Sequence, residues 1–200
     1  MSFWDERYAE DGFAYGLEPN DFLRERAGLL TGDVLCLAEG EGRNATFLAS
    51  RGLTVYGVDA SSVGVAKTLA LAAERGVTVH AEQGDLATYD LGEARWDGIV
   101  AVFAHLPPPI RRRVHGSVAR ALRPGGVFLM EVYTPRQLAF GTGGPQSVEM
   151  LYEPEAVRAE LVGLELEHFA ELEREVHEGK YHGGRSAVLQ GIARRPVQTR

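Results

Sequence analysis

Sulfur, lysine and long apolar runs are all scarce in this chain of 200 residues, and each shortage narrows what it does. A single cysteine, Cys36, excludes an internal disulfide. No cysteine–histidine group has the spacing of a zinc site, so no metal is expected. No apolar run approaches the ~20 residues of a membrane-spanning helix. The N-terminal Met-Ser-Phe-Trp-Asp-Glu-Arg has no apolar signal core behind a basic start. Positive charge is in deficit: 21 Lys and Arg stand against 28 Asp and Glu, a formal −7. Such a field repels nucleic acid and anionic membranes unless basic residues cluster. The one tight cluster, Arg111-Arg112-Arg113, falls on an expected helix and reads as a solvated face. Lys67 and Lys180 are the only lysines, an arginine bias that reads as compositional. The expectation is a cytoplasmic protein, monomer or homodimer, with neither a nucleic-acid nor a membrane partner.

What is present is a globular composition, 44% hydrophobic and 24% charged. A chain of this length buries roughly 70% of its unfolded surface and needs no staple. There is no internal repeat, low-complexity tract or linker, so residues 1–200 read as one domain. Within it, residues 1–30 form an N-terminal helical or lid segment and 31–200 the core.

The core alternates strand and helix. Residues 34–38 are a short apolar run ending in glycines, which reads as a buried strand. A helix over 44–51 stops at Gly52, a strand follows at 53–58, and a helix over 63–75 stops at Gly76. Strands are expected at 77–81 and 96–103. Pro107-Pro108-Pro109 opens a helix to about residue 122, since proline suits a helix's first turn. A turn at 123–126, a strand at 127–133 and a helix at 153–161 follow. Two long strands, 164–176 and 186–193, close the chain, joined by a glycine-bearing segment at 178–185. Strict alternation forces parallel pairing through right-handed crossovers, while two strands with no helix between them pair antiparallel. The pattern is therefore α/β, an open and mostly parallel sheet sandwiched by helices, with a C-terminal hairpin.

Three polar features each follow a successive strand. Ala38-Glu39-Gly40-Glu41-Gly42-Arg43-Asn44 sits between the first strand and its helix, where glycines let backbone N–H groups approach a ligand. Asp59 ends the second strand, placed to accept from two ribose hydroxyls. Gly84-Asp85-Leu86 follows the third strand, where a carboxylate is placed to accept from an adenine amino group. A glycine loop and a strand-end acid also occur in nicotinamide-dependent oxidoreductases, but the Arg-Pro-Gly-Gly turn and the long terminal hairpin argue against that class.

With Trp96-Asp97 and Leu122-Arg123-Pro124-Gly125-Gly126, these segments resemble the ordered motifs of class I S-adenosylmethionine (SAM)-dependent methyltransferases over residues 30–135. Phe3-Trp4-Asp5-Glu6-Arg7-Tyr8, Gly16-Leu17-Glu18-Pro19-Asn20 and His105-Leu106-Pro107 resemble the branch near tellurite-resistance and thiopurine methyltransferases. The resemblance implies a Rossmann-like three-layer sandwich with a seven-stranded sheet in the order 3-2-1-4-5-7-6. It also implies methyl transfer from SAM to a small-molecule acceptor (a thiol, a metalloid oxyanion or another small nucleophile), with S-adenosyl-L-homocysteine as product. Two departures stand out. Cys36 replaces the acid usual in the first strand, and Ala38 replaces a common glycine. Glu39 is the neighbouring acid placed to share the lost role. The departures also motivate an alternative, a noncatalytic SAM-binding regulator.

By the same resemblance, the backbone of Ala38, Glu39 and Gly40 holds the methionine portion of SAM. Asp59 binds the ribose, Ala60 and Ser61 flank the adenosine, and Asp85 and Leu86 meet the adenine. Phe103 lies beside the sulfonium. Trp4, Arg7 and Tyr15 close the site from the N-terminal segment, with Arg7 a partner for the carboxylate; the competing reading is that they staple that segment to the body. A loop at 140–147, carrying Gly141, Gly143 and Gly144, is placed to reach over the acceptor. His105 is the candidate general base, its unperturbed pKa near 6.5 suiting proton transfer at neutral pH. The competing reading gives it a role in shaping the His-Leu-Pro turn. His182 is a second candidate, on a hairpin loop that lies away from the strand ends unless it bends back.

Overall fold

The computed structural model describes residues 2–197. Strand β1 (Asp33–Leu37) lies between β2 (Thr54–Asp59) and β4 (Trp96–Val102), parallel to both. β3 (Val79–Gln83) continues outward from β2, and β5 (Leu122–Tyr133) from β4, again parallel. β6 (Glu165–Glu178) and β7 (His182–Arg194) form the terminal hairpin, and β7 inserts antiparallel between β5 and β6. The seven-stranded order is β3-β2-β1-β4-β5-β7-β6, as the resemblance implies.

Alternation along β1 sorts its side chains between two layers. Val34 and Cys36 face one side with Ala45 and Leu48 of α3 (Arg43–Ser50), Ala72 of α4 (Ser62–Glu74), and Phe22 and Leu23 of α2 (Asp21–Arg26). Leu35 and Leu37 face the other, against Val114 and Val118 of α5 (Pro108–Ala121) and Val157 of α6 (Pro154–Glu160). Trp96 is buried in this second layer and its indole N–H donates to the Leu91 carbonyl at 2.7 Å. No helix among the described residues is long and apolar enough to cross a membrane. The N-terminal segment holds α1 (Phe3–Tyr8), begun by a reciprocal cap between Ser2 and Asp5, then α2, capped by Asn20.

Four expectations change. β5 begins at Leu122, paired with Trp96, so residues 123–126 belong to the strand. β3 starts two residues late, because the amides of Gly76 and Val77 still bond back to Ala73 and Ala72 and close α4. The hairpin strands are longer than expected: Glu178 pairs with His182 and Val176 with Gly184, so only residues 179–181 turn. The arginine run is not a solvated face. Arg111 is buried, grips Glu160 through Nε and Nη2, and lies over the Tyr152 ring; Arg113 donates to the Leu86 and Tyr89 carbonyls. One helix turn puts residue 111 inward while Arg112 stays exposed.

Candidate active site

The chain leaves β1 through Ala38, which adopts left-handed backbone (φ 49°), as do Gly40 and Gly42. An L-residue held there costs on the order of 1–3 kcal/mol and persists only where its surroundings demand it. Here the demand is the loop itself. A side chain on Gly40 would meet the Tyr8 hydroxyl at 2.8 Å, and one on Gly42 the backbone of Thr68 at 2.7 Å. Glu39 folds inward, and its Oε1 accepts the Ala45 amide at 2.7 Å, satisfying an orphan donor at the start of α3. Burial raises its carboxyl to about 7 despite that bond and the Arg43 charge. Cys36 is fully buried and its thiol is raised by the same desolvation. The loop after β1 thus carries a carboxyl next to the position where β1 has Cys36, held by the Ala45 amide.

Asp59 is 6% exposed, and each carboxylate oxygen already accepts one amide: Gly40 at 2.9 Å and Ser61 at 2.8 Å. Each oxygen keeps further acceptor capacity toward the open side. Burial raises this carboxyl too. Asp85 is exposed at the rim beside buried Leu86, and its Oδ1 accepts the Ala87 amide at 2.8 Å. Ser61 does not flank the cavity. Its hydroxyl is wholly buried, accepts from Gly64 as the cap of α4 and donates to Asp5 at 2.7 Å, so it ties α1 down instead.

The N-terminal segment closes one side. Trp4 stacks on Tyr8 at 5.6 Å, and Tyr8, which the motif reading left without a role, is buried against the glycine loop. The Arg7 guanidinium lies 3.7 Å over the Tyr181 ring and reaches the Tyr15 hydroxyl at 3.5 Å. Both lysines serve this segment. Lys67 Nζ donates to the carbonyls of Glu10 (3.1 Å) and Gly12 (2.6 Å) and to Glu41 (2.9 Å). Lys180 Nζ donates to the Asp11 carbonyl at 2.6 Å.

The opposite wall begins at Phe103, again left-handed (φ 50°), whose ring stacks on Tyr133 at 4.5 Å. His105 lies behind it. Its Nδ1 meets the Met150 carbonyl at 2.9 Å, and its Nε2 accepts the Tyr133 amide at 3.3 Å. Burial pushes the imidazole down to about 3. Both nitrogens are therefore spent on backbone, which opposes the expected base role and fits the shaping one. The hairpin does bend back. Lys180 donates its amide to Ala14, Gly183 to Thr142, and the His182 ring packs edge-on to Phe103 at 4.7 Å and lies 4.6 Å from Tyr15. The glycine loop is wedged here: a side chain on Gly144 (φ 80°) would meet the Tyr133 ring at 2.5 Å.

A cavity of about 890 Å³ runs between these walls. Ala38, Glu39, Gly40, Asp59, Ala60, Asp85 and Leu86 line one end; Trp4, Arg7 and Tyr15 lie along the side and Phe103 and His182 at the far end. Residues 141–146 cover the far end, where the loop was expected.

Residues 34–126 match a family model described as a methyltransferase domain. A 2-heptyl-1-hydroxyquinolin-4(1H)-one methyltransferase of Mycobacteroides abscessus is 31% identical over 131 residues, covering 64% of this chain and 56% of that protein. A probable S-adenosylmethionine-dependent methyltransferase of Mycolicibacterium smegmatis is 34% identical over 159 residues, covering 78% and 58%. The chain thus spans less than two thirds of either relative. Among solved structures, one described as "Conversion of a Disulfide Bond into a Thioacetal Group during Echinomycin Biosynthesis" superposes with a TM-score of 0.78 at 23% identity, covering 98% of this chain and 89% of that one. A SAM-dependent methyltransferase of Methanosarcina mazei superposes at 0.71 with 16% identity, covering 91% and 100%. The strand order and the superpositions show a Rossmann-like methyltransferase fold, and residues 34–126 are similar to a methyltransferase domain, which implies S-adenosyl-L-methionine as cofactor.

Proposed function

We propose that the protein transfers a methyl group from SAM to a small-molecule acceptor with a nucleophilic hydroxyl, thiol or metalloid oxygen. The observation that carries this reading is one continuous cavity with a polar, glycine-lined end and an aromatic end. The residues fit the cofactor. Asp59 is a desolvated carboxylate with acceptor capacity unspent, which suits a ribose diol. Asp85 and Leu86 suit adenine, and the amides of Ala38 to Gly40 suit the methionine portion. When bound, SAM supplies an electrophilic methyl on a good leaving group. The protein contributes proximity, orientation and exclusion of water.

Phe103 bounds the sulfonium side, and Tyr15, Tyr133 and His182 form an aromatic wall around it, which suits a planar acceptor. The Mycobacteroides relative, named for a hydroxyquinolone, supports an acceptor of that kind. The segments Phe3–Tyr8, 16–20 and 105–107 support a place near the tellurite-resistance and thiopurine branch. His105 acts by holding the Met150 carbonyl and the end of β5 in place.

The test is calorimetry with SAM and NADH, followed by transfer of labelled methyl from SAM to phenols, thiols and metalloid oxyanions. SAM binding with a methylated product is the expected result. Tighter binding of NADH than SAM overturns the class. SAM binding with no product from any acceptor favours the noncatalytic regulator, a reading that the changes at Cys36 and Ala38 motivate.

A further inference from the structure

The tip of the β6–β7 hairpin carries a histidine–carboxylate pair that the cofactor half of the site does not use. His182 is 5% exposed and lines the cavity beside Phe103. Its Nδ1 faces Glu178 Oε2 at 3.5 Å, four residues earlier and directly opposite across the turn. At that distance the contact is loose, within the range catalytic contacts show before substrate tightens them. Nε2 has no protein partner among the described residues, yet it is not among the sealed, unpaired buried atoms. It therefore opens on the cavity. His105, by contrast, has both nitrogens engaged.

Glu178 is itself fixed from outside the hairpin. Arg43 of α3 donates to it at 2.6 Å, and Asn20, the cap of α2, at 2.8 Å. We propose that His182, oriented by Glu178, is the general base that takes the proton from the acceptor's hydroxyl or thiol during methyl transfer. This rests on the methyltransferase reading above. As the acceptor's oxygen or sulfur bonds to the methyl carbon, the carbon–sulfur bond breaks and its electron pair stays on sulfur. The acceptor's proton goes to Nε2, and the imidazolium, stabilised by Glu178, later returns it to water.

The groups facing the ring set its charge preference. Burial and the cations Arg43 and Arg174 disfavour protonation, Glu178 favours it, the rings of Tyr15, Phe103 and Tyr133 pack on it, and His105 is a further titratable neighbour. The net effect holds the imidazole below its ordinary value, so the resting ring is neutral and free to take a proton. An acceptor that is already an anion needs no base, so the contribution of His182 depends on the acceptor's acidity.

The experiment has two arms on the full chain. In the first, His182→Gln is compared with wild type using phenol and the more acidic 4-nitrophenol as acceptors. Expected are SAM affinity within twofold of wild type, a loss of about 10²–10⁴-fold with phenol, disappearance of the acidic limb of the rate profile, and a smaller loss with 4-nitrophenol. A loss below tenfold with the limb unchanged overturns the proposal and leaves the methyltransferase reading standing. Failure of the wild-type chain to bind SAM overturns that reading instead. The second arm needs no acceptor and decides alone if neither phenol is methylated. The His182 ring is followed by NMR across pH with S-adenosylhomocysteine bound, its signal assigned by its loss in His182→Gln. A midpoint below the ordinary ~6.5 and above about pH 5 is expected. Glu178→Gln should lower that midpoint by about one unit or more. A ring that stays neutral throughout, or does not respond to Glu178→Gln, overturns the proposal.

Discussion

The two ends of the cavity hold an acid in opposite ways. In the glycine loop, the carboxyl of Glu39 is held by the Ala45 amide, six residues away. At the acceptor end, Glu178 meets Arg43 across 135 positions and Asn20 across 158. Their buried acids differ accordingly. Glu39 sits where desolvation wins and its carboxyl rises to about 7. Glu178 is desolvated as well, but His182 and Arg43 outweigh burial and hold it near 2. A local loop leaves its acid short of cations, whereas a long-range assembly brings them in.

Removing the long-range anchor gives the largest expected effect. Glu178→Ala leaves Arg43 buried without its counterion and should cost about 3–5 kcal/mol in urea unfolding. The two acids should also impose opposite pH dependences, each worth about 3 kcal/mol. The folded pKa of Glu178 is depressed, so its contribution is present above about pH 4.5 and lost as pH falls toward about 2. For Glu39 it is raised, so stability is fully present below about 4.5 and lost as pH climbs through about 7. Unfolding midpoints from pH 3 to 8 should lose acid sensitivity in Glu178→Gln and the decline toward neutrality in Glu39→Gln. The same slopes in both variants would erase the contrast.

At the cofactor end, Asp59→Ala should weaken SAM by about 1.5–3 kcal/mol in calorimetry while sparing the far wall. Gly144→Ala sharpens the comparison from the other side. Its methyl collides with the Tyr133 ring at a left-handed position, so about 1–3 kcal/mol of stability should be lost. Acceptor KM should suffer more than SAM affinity. The smallest effect belongs to exposed Arg112, where Arg112→Ala should stay within about 0.5 kcal/mol by the same unfolding assay.

This division explains what was legible in the residue string. Strand–helix alternation, glycine stops and strand-end acids are local signals, and they led to the parallel sheet with its antiparallel hairpin and to Asp59 and Asp85 at the cavity, while the full strand order came from the resemblance. Local signals fail where a side chain has a distant partner. Ser61 reads as a ligand-flanking residue until Asp5 takes its hydroxyl. Arg111 reads as solvated until Glu160 meets it from α6. His182 reads as remote because glycines at 183 and 184 suggest a loop, whereas both residues are paired strand and carry the ring back over Phe103. Tyr8 had one available signal: it falls on the inward face of a six-residue helix whose neighbours are charged.

The two lysines give the N-terminal segment a chemistry of its own. A rotatable ammonium satisfies three acceptors at once, and Lys67 uses all three donors on Glu10, Gly12 and Glu41. Lys180 holds Asp11 between them. Every side-chain amine in the protein therefore fastens one short stretch at the cavity's rim. Acylation, which abolishes the charge and two of the donors, would act on that stretch and on its tie to Glu41, and leave the arginine-built remainder chemically silent.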